Sequence, residues 1–250
     1  FAEGGTYVAL ANGVLDPNSF AANPDGEEIG FTLFSRDMMR EAAAESGVDF
    51  VVVHGATDAP TVDVIARGVG SLVDNAPYGA ITDYINVPAN SYTLDITPAE
   101  DNETIVASFT ADLSGLEGGA AVVFASGFLT PVTNQNGALF GLYAALPDGQ
   151  VVEFPATTAR LQVIHNAADP AAGEVDIYLN GQMLLEDFAF RTATPHIDVP
   201  AQLTHNIGVA PAGSESYADI LTSFDVAFAE GGSYAAMANG VFDPNSFAAN

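Results

Sequence analysis

The chain contains no cysteine and no lysine. Without cysteine, disulfides and thiolate metal sites are excluded. Without lysine, all fixed positive charge rests on Arg36, Arg40, Arg67, Arg160 and Arg191, against 32 acidic residues. The net charge of −27 makes nucleic acid and anionic membrane surfaces poor partners. No run of about 18 apolar residues exists, so no membrane span is expected. The first residue is Phe, and no secretory leader stands there; any such segment is expected to have been removed or to lie outside this stretch. The glycine pairs Gly4-Gly5, Gly118-Gly119 and Gly231-Gly232 precede apolar strands rather than a helix and a lysine. They read as turns, not phosphate loops.

What the chain does contain is a β composition. Hydrophobic residues make up 48% of 250, enough to bury a core. Gly and Pro are frequent, and Val, Thr, Phe and Tyr cluster in short runs. Self-repulsion at this charge density is best tolerated where salt screens it, since the Debye length falls to ~3 Å at 1 M ionic strength. A halophilic source is one reading, and an ordinary acidic secreted protein is the other.

Repeats organise the sequence. Residues 1–23 recur at 228–250 with 19 of 23 positions identical. A weaker repeat divides this period. His54 corresponds to His165 and Asp63 to Asp176, and Val87-Pro88 corresponds to Val199-Pro200. The half-period of ~113 residues suits a β-sandwich domain. Three pieces follow. Residues 1–48 read as the C-terminal part of a β-sandwich repeat, and 49–157 as a complete one. Residues 158–250 read as the N-terminal part of a repeat, completed by a following segment or by a neighbouring subunit.

Inside the complete repeat, strands are expected near 50–54, 61–67, 80–87, 91–97, 105–111, 120–127, 138–144 and 151–154, separated by Gly, Pro and Asn-rich breakers. The segment 1–23 reads as two late strands and an Asp-Pro-Asn turn. The Ala- and Glu-rich stretch 37–46 reads as a linker with at most one or two helical turns. The fold class is therefore all-β: tandem antiparallel β-sandwich domains, immunoglobulin-like or transthyretin-like. Only a few residues separate successive sandwiches, which predicts docked rather than freely swinging neighbours.

The run Val53-His54-Gly-Ala-Thr-Asp58-Ala-Pro60-Thr-Val62-Asp63-Val64 is followed by Pro77-Tyr78-Gly79 and Val87-Pro88-Ala89. This pattern resembles the domain of unknown function 4397 family. The second copy keeps His165, Asp169, Asp176 and Val199-Pro200-Ala201, with Phe190 in place of Tyr78. The resemblance implies an extracellular, often tandem, β-sandwich module of bacterial and archaeal secreted proteins. It implies no known catalysis, so no functional residues carry over.

Each candidate site has a structural reading beside the functional one. His54 with Asp58, and His165 with Asp169, could form a metal or acid–base pair; as a repeated fold motif, each Asp more simply caps a turn and bonds backbone or imidazole. His196 and His205 lie in a stretch that reads as a strand pair, with no serine nucleophile in a recognisable setting. The turns Asp16-Pro17-Asn18 and Asp243-Pro244-Asn245 are weak Ca²⁺ candidates, as is Asp25-Gly26-Glu27-Glu28, but none matches a calcium-binding loop, and type I turns explain the first two. Asn102-Glu103-Thr104 is the one glycosylation sequon. No cofactor and no enzymatic activity are expected. The leading expectation is a structural protein of an extracellular filament, stalk or cell-surface layer, its partners being copies of itself, head to tail. The alternative is an adhesion module presenting acidic loops and exposed aromatics such as Tyr78, Tyr84 and Tyr143 to a glycan or another surface ligand.

Overall fold

The structure is a computed structural model that describes residues 2–99, 101–242 and 244–247. The chain divides into two compact units, 1–157 and 158–250.

The first unit opens with a hairpin of β1 (Tyr7–Asn12) and β2 (Thr32–Asp37), paired antiparallel from Tyr7 opposite Asp37 to Asn12 opposite Thr32. Only one strand therefore lies in residues 1–23, where two were expected. Pro17–Ser19 forms a 3-10 turn instead, because the Asp16 carboxylate accepts from the Asn18 amide and the proline fixes the first turn position. The linker 37–46 contains no helical turn: Met38 has φ of 56°, and Ala42 bridges to Gly119.

The sandwich proper uses β3 (Val48–His54), β4 (Val62–Ala66), β5 (Gly70–Ala76), β6 (Ile85–Val87), β7 (Ser91–Pro98), β8 (Ala107–Asp112), β9 (Ala120–Ser126), β10 (Gly141–Ala145) and β11 (Val151–Phe154). One sheet has the order β11-β10-β9-β3-β6, the other β5-β4-β7-β8. β3 is buried at all seven positions, and its apolar run Phe50–Val53 suits a strand shielded on both faces. Between the sheets sit Val53, Ala66, Ile96, Phe109 and Leu142, each at most 4% exposed.

Two expectations need correction. The segment 80–87 yields only the short β6, with Ile81 as a single bridge to Val53. The strand β5 was not anticipated, because glycines at 68 and 70 mark a break and the strand's alternation is disrupted. The disruption is a β-bulge in the β4–β5 pairing, with Asn75 at φ of 52°.

The second unit repeats this plan with β12 (Thr158–His165), β13 (Glu174–Leu179), β14 (Gln182–Ala189), β15 (Ile197–Pro200), β16 (Thr204–Pro211), β17 (Thr222–Ala227) and β18 (Ser233–Ala238). Its sheets are β15-β12-β18 and β14-β13-β16-β17. Alternate residues of β12, Ala159, Leu161, Val163 and His165, are buried, so one face carries the core. In both units one pair runs parallel, β3 with β9 and β12 with β18. The other named strand pairs are antiparallel. The parallel pair arises because the opposite sheet is threaded between its two strands, leaving room for a crossover.

Candidate functional site

The repeated His and Asp of the motif stand where β3 and β12 end. His54 is 3% exposed, and its Nε2 donates to the Pro60 carbonyl at 2.9 Å. His165 does the same toward Ala172 at 2.8 Å. A carbonyl oxygen only accepts, so Nε2 carries the proton in each ring. Burial pushes the His54 pKa below its ordinary value, against the Pro60 bond and the Asp25 charge.

The aspartates bond to backbone amides and, for Asp58, to the Asn134 side chain, rather than to these histidines. Asp58 accepts from the Leu129 and Thr130 amides and from Asn134 Nδ2, all at 2.9 Å. Asp169 accepts from the Ala171 amide at 2.9 Å and the Phe242 amide at 3.0 Å. Each carboxylate pins the loop that follows β9 or β18. The arrangement ties a strand end to a distant loop and leaves neither carboxylate poised beside an imidazole.

The second motif aspartate holds the bulge of the adjoining hairpin. Asp63 Oδ1 accepts from the Asn75 amide at 2.6 Å. Asp176, fully buried, accepts from the Asp187 amide and from the amide and hydroxyl of Ser214 at 2.6–2.8 Å. Burial pushes the Asp176 carboxyl up, but these bonds outweigh it and hold the pKa below the usual carboxylate value.

His205 is fully buried, with Nε2 bonded to the Pro200 carbonyl at 2.7 Å and Nδ1 paired with Asn180. His196 is exposed. The strand pair expected over 196–205 is corrected: β15 and β16 do form, but β15 pairs with β12 and β16 with β13 and β17, in different sheets.

Among the calcium candidates, Asp16 is engaged in its own turn, with Ser19 Oγ donating to Oδ2 at 2.8 Å and the Asn18 amide to Oδ1. Asn245 lies in the 3-10 turn Pro244–Ser246, and Asp243 lies outside the described residues. Asp25 accepts from the amide and hydroxyl of Thr61. Among the described residues, no group of three His, Cys, Asp or Glu side chains is placed to hold a metal. Asn102 is exposed, with Oδ1 accepting from Thr97 Oγ1.

None of the three aromatics expected to be exposed is exposed: Tyr84 and Tyr143 are half-buried and Tyr78 is buried. Tyr78 is 7% exposed, packed with Val14 and Ile29 and hydrogen-bonded by Asn12. It is buried because the N-terminal hairpin covers it. Tyr143 stacks on Phe124, and Tyr84 lies under the Arg40 guanidinium at 4.2 Å. Four arginines are in ion pairs, with Asp83, Asp49, Asp95 and Asp198, and Arg191 lies over the Phe190 ring.

The feature the sequence did not reveal is a groove of 640 Å³ in the second unit, lined by Val175, Val209, Leu221 and Phe224 together with Asp169 and Asn239. The corresponding place in the first unit is a cavity of 30 Å³, closed by Phe140 and Leu142 of the β10 segment.

The sequence profile described as "Domain of unknown function (DUF4397)" matches residues 48–171 and again 159–248. The chain belongs to the DUF4397 family. The two matches begin at the equivalent strands β3 and β12, so each DUF4397 match starts on the strand that carries the buried motif histidine. No curated protein matches the chain. Within this DUF4397 chain, the motif residues are spent on holding loops and bulges, and the open groove is the feature left over.

Proposed function

We propose that this DUF4397 chain is a structural repeat protein whose sandwiches, joined head to tail, build an extracellular filament, stalk or cell-surface assembly. The observation that carries the reading is the docking of the β1–β2 hairpin on the sandwich of 49–157. By sequence, residues 1–23 duplicate the end of the second unit, so the hairpin reads as the close of a preceding sandwich. Its seat on the next one is then a junction between repeats.

That junction is specific in its chemistry. Val14 and Ile29 pack on Tyr78, Phe34 meets the Tyr78 ring edge-on at 5.6 Å, and Phe20 stacks on Phe128. Asn23 Nδ2 donates to the Thr57 and Ala59 carbonyls, and Asp25 holds Thr61. Arg36 donates to the Thr82 carbonyl and pairs with Asp83. A buried aromatic centre rimmed by polar bonds is the anatomy of a persistent interface. Electron microscopy of native material tests the reading: fibres or an ordered layer are expected, and a monodisperse short monomer would remove it. The surplus of acidic charge supports a high-salt setting. Loss of folded structure on desalting is the expected result, and indifference to salt would exclude it.

The adhesion alternative draws on a depression beside β2, lined by Arg36, Arg40, Ile81 and Tyr84. It presents a half-buried aromatic with two guanidinium groups. Binding on a glycan array that is lost in Tyr84→Ala would favour it over the structural reading.

A further inference from the structure

The loop 55–61, between β3 and β4, is held from two sides. On one side, His54 Nε2 donates to the Pro60 carbonyl at 2.9 Å. On the other, the N-terminal hairpin reaches Gly55, Thr57, Ala59 and Thr61. Asn12 Nδ2 donates to the Gly55 carbonyl at 3.2 Å, and Asn23 Nδ2 to the Thr57 and Ala59 carbonyls at 3.0 and 2.9 Å. The Asp25 carboxylate accepts from the amide and hydroxyl of Thr61 at 2.6 and 2.7 Å. The same imidazole meets the aromatic centre of the hairpin seat, its ring 6.2 Å from that of Tyr78 and nearly perpendicular to it. Next to Tyr78, the Gly79 amide donates to the His54 carbonyl at 2.8 Å.

The two motif histidines differ at their second nitrogen. His165 Nδ1 accepts from the Ala167 amide at 3.3 Å. His54 Nδ1 is buried and has no hydrogen-bond partner among the described residues. A proton added there would belong to a buried cation with nothing to accept its N–H. The loops differ too. In the second unit, the Asn166 amide donates to the Ala238 carbonyl of β18, and Asp169 accepts from Phe242, so that loop is tied within its own sandwich. In the first unit the histidine-held loop also carries the hairpin.

The ionisable groups on the elements around the ring do not supply the missing acceptor. Asp58 is engaged by Leu129, Thr130 and Asn134, and Asp63 by Asn75. Asp83 is paired with Arg36, and burial raises the Tyr78 pKa, so the phenol keeps its proton. On the hairpin, Asp25 attracts an imidazolium but is bonded to Thr61, while Glu27 and Glu28 are exposed. A cavity of 30 Å³ borders the ring together with Ala59, Pro60, Ala125 and Phe140. Every other side chain lining it is apolar, so it offers room and no acceptor.

We propose that His54 is an acid-operated latch for the hairpin: when the ring takes up a second proton it leaves Pro60, the loop 55–61 opens, and β1–β2 is released from the sandwich of 49–157. The added proton goes to Nδ1, and Nε2 keeps its own. In the closed state the imidazolium has no acceptor. In the open state water supplies one, as does the Asp25 carboxylate once Thr61 leaves it. The open state therefore binds the proton at the ordinary histidine pKa near 6.5, and the closed state binds it only at lower pH. Opening takes up one proton, so its equilibrium constant rises up to tenfold for each pH unit below about 6.5 and levels off at the folded pKa. The latch rests on the hairpin's seat and not on the filament reading.

NMR of the unaltered chain, titrated from about pH 7.5 to 5, tests the latch. The His54 ring signals give its pKa. Hydrogen exchange of the Ala21 and Thr61 amides, corrected for the intrinsic rate at each pH, gives the opening constant; Ala21 donates to Asn134 Oδ1 and so reports the seat. A rise of up to tenfold per pH unit below about 6.5 is expected at these amides, with the amides of β7 remaining slower throughout. His54→Gln keeps a donor for Pro60 and does not titrate, so its profile is expected to be flat. Asn23→Ala loosens the hairpin without touching the ring, and reciprocal coupling then moves the His54 pKa up toward 6.5. Circular dichroism checks that both variants fold, and the titration of the unaltered chain decides alone if the Gln variant does not. A His54 pKa at or above 6.5, or seat exchange that ignores pH, would overturn the proposal. So would an acid response that persists in His54→Gln, or a His54 pKa that Asn23→Ala leaves in place.

Discussion

Tyr92 and His205 occupy corresponding places in the two sandwiches. The Tyr92 hydroxyl donates to the Pro88 carbonyl at 2.7 Å, and His205 Nε2 donates to the Pro200 carbonyl at the same distance. A phenol and an imidazole do one job, because the backbone acceptor fixes the requirement and any donor of suitable reach meets it. Phe109 and Phe224 are the converse. The residue is the same, the position in the ladder is the same, and one is buried while the other is exposed. Hydrogen-bond destinations survive between the units, whereas burial depends on whether a neighbouring strand is present.

The largest expected effect tests that contrast. Phe109→Ala is expected to cost about 3–5 kcal/mol of stability, as large core truncations do. Phe224→Ala should cost no more than about 0.5 kcal/mol, the range of surface changes. Denaturant unfolding of both variants measures this, and equal losses would break the comparison.

Next come the buried carboxylates that both units share. Asp176→Ala and Asp63→Ala each strand backbone amides in a bulge, at about 1–3 kcal/mol per unsatisfied group. Loss confined to one unit would show that the shared aspartate serves the two bulges differently, and hydrogen exchange at Asn75 and Asp187 reports it site by site.

Acid sensitivity is a smaller, graded effect. Burial lowers the folded-state pKa of both His54 and His205, so below about pH 6.5 the unfolded chain binds more protons than the folded one. Stability from these histidines is therefore complete above that pH and falls as pH drops toward their folded pKa values, by at most about 1.4 kcal/mol per pH unit for each. Asp49, Asp95 and Asp176 have pKa values below 3.8 in the fold, and their contribution is lost below that value. In each, burial opposes the lowering, and hydrogen bonds, with Arg40 or Arg67 beside Asp49 and Asp95, outweigh it. A pH titration of unfolding should show a shallow decline beginning near 6.5, and replacing His205 by Tyr should remove its share from the second unit. A profile flat from pH 7 to 4.5 would contradict the burial of both rings.

The smallest expected effect is at the hairpin seat. Asp25→Ala removes an exposed bond to Thr61, and is expected to speed exchange of the Thr61 amide with little change in global unfolding. A large global loss would mean the hairpin and the sandwich fold as one cooperative block.

Much of the fold was legible along the chain. The apolar run of β3 and the repeated His, Asp and Val-Pro positions marked strands and their register between units. β5 escaped because its bulge breaks the alternation that reveals a strand. The partners of Asp58 escaped because Leu129 and Thr130 lie 71 and 72 residues away, beyond any local spacing rule. Tyr78 reads as an exposed aromatic until a hairpin from 66 residues upstream covers it.

The amino-acid sequence alone determined the β class, the repeat and its offsets, and the net charge of −27. These are properties of composition and period, and they need no partner to be expressed. Only the tertiary structure decided which of two corresponding phenylalanines is buried, and that a groove stands open beside β18. Burial belongs to a side chain together with the strand beside it, and around Phe109 that strand comes from a distant part of the chain.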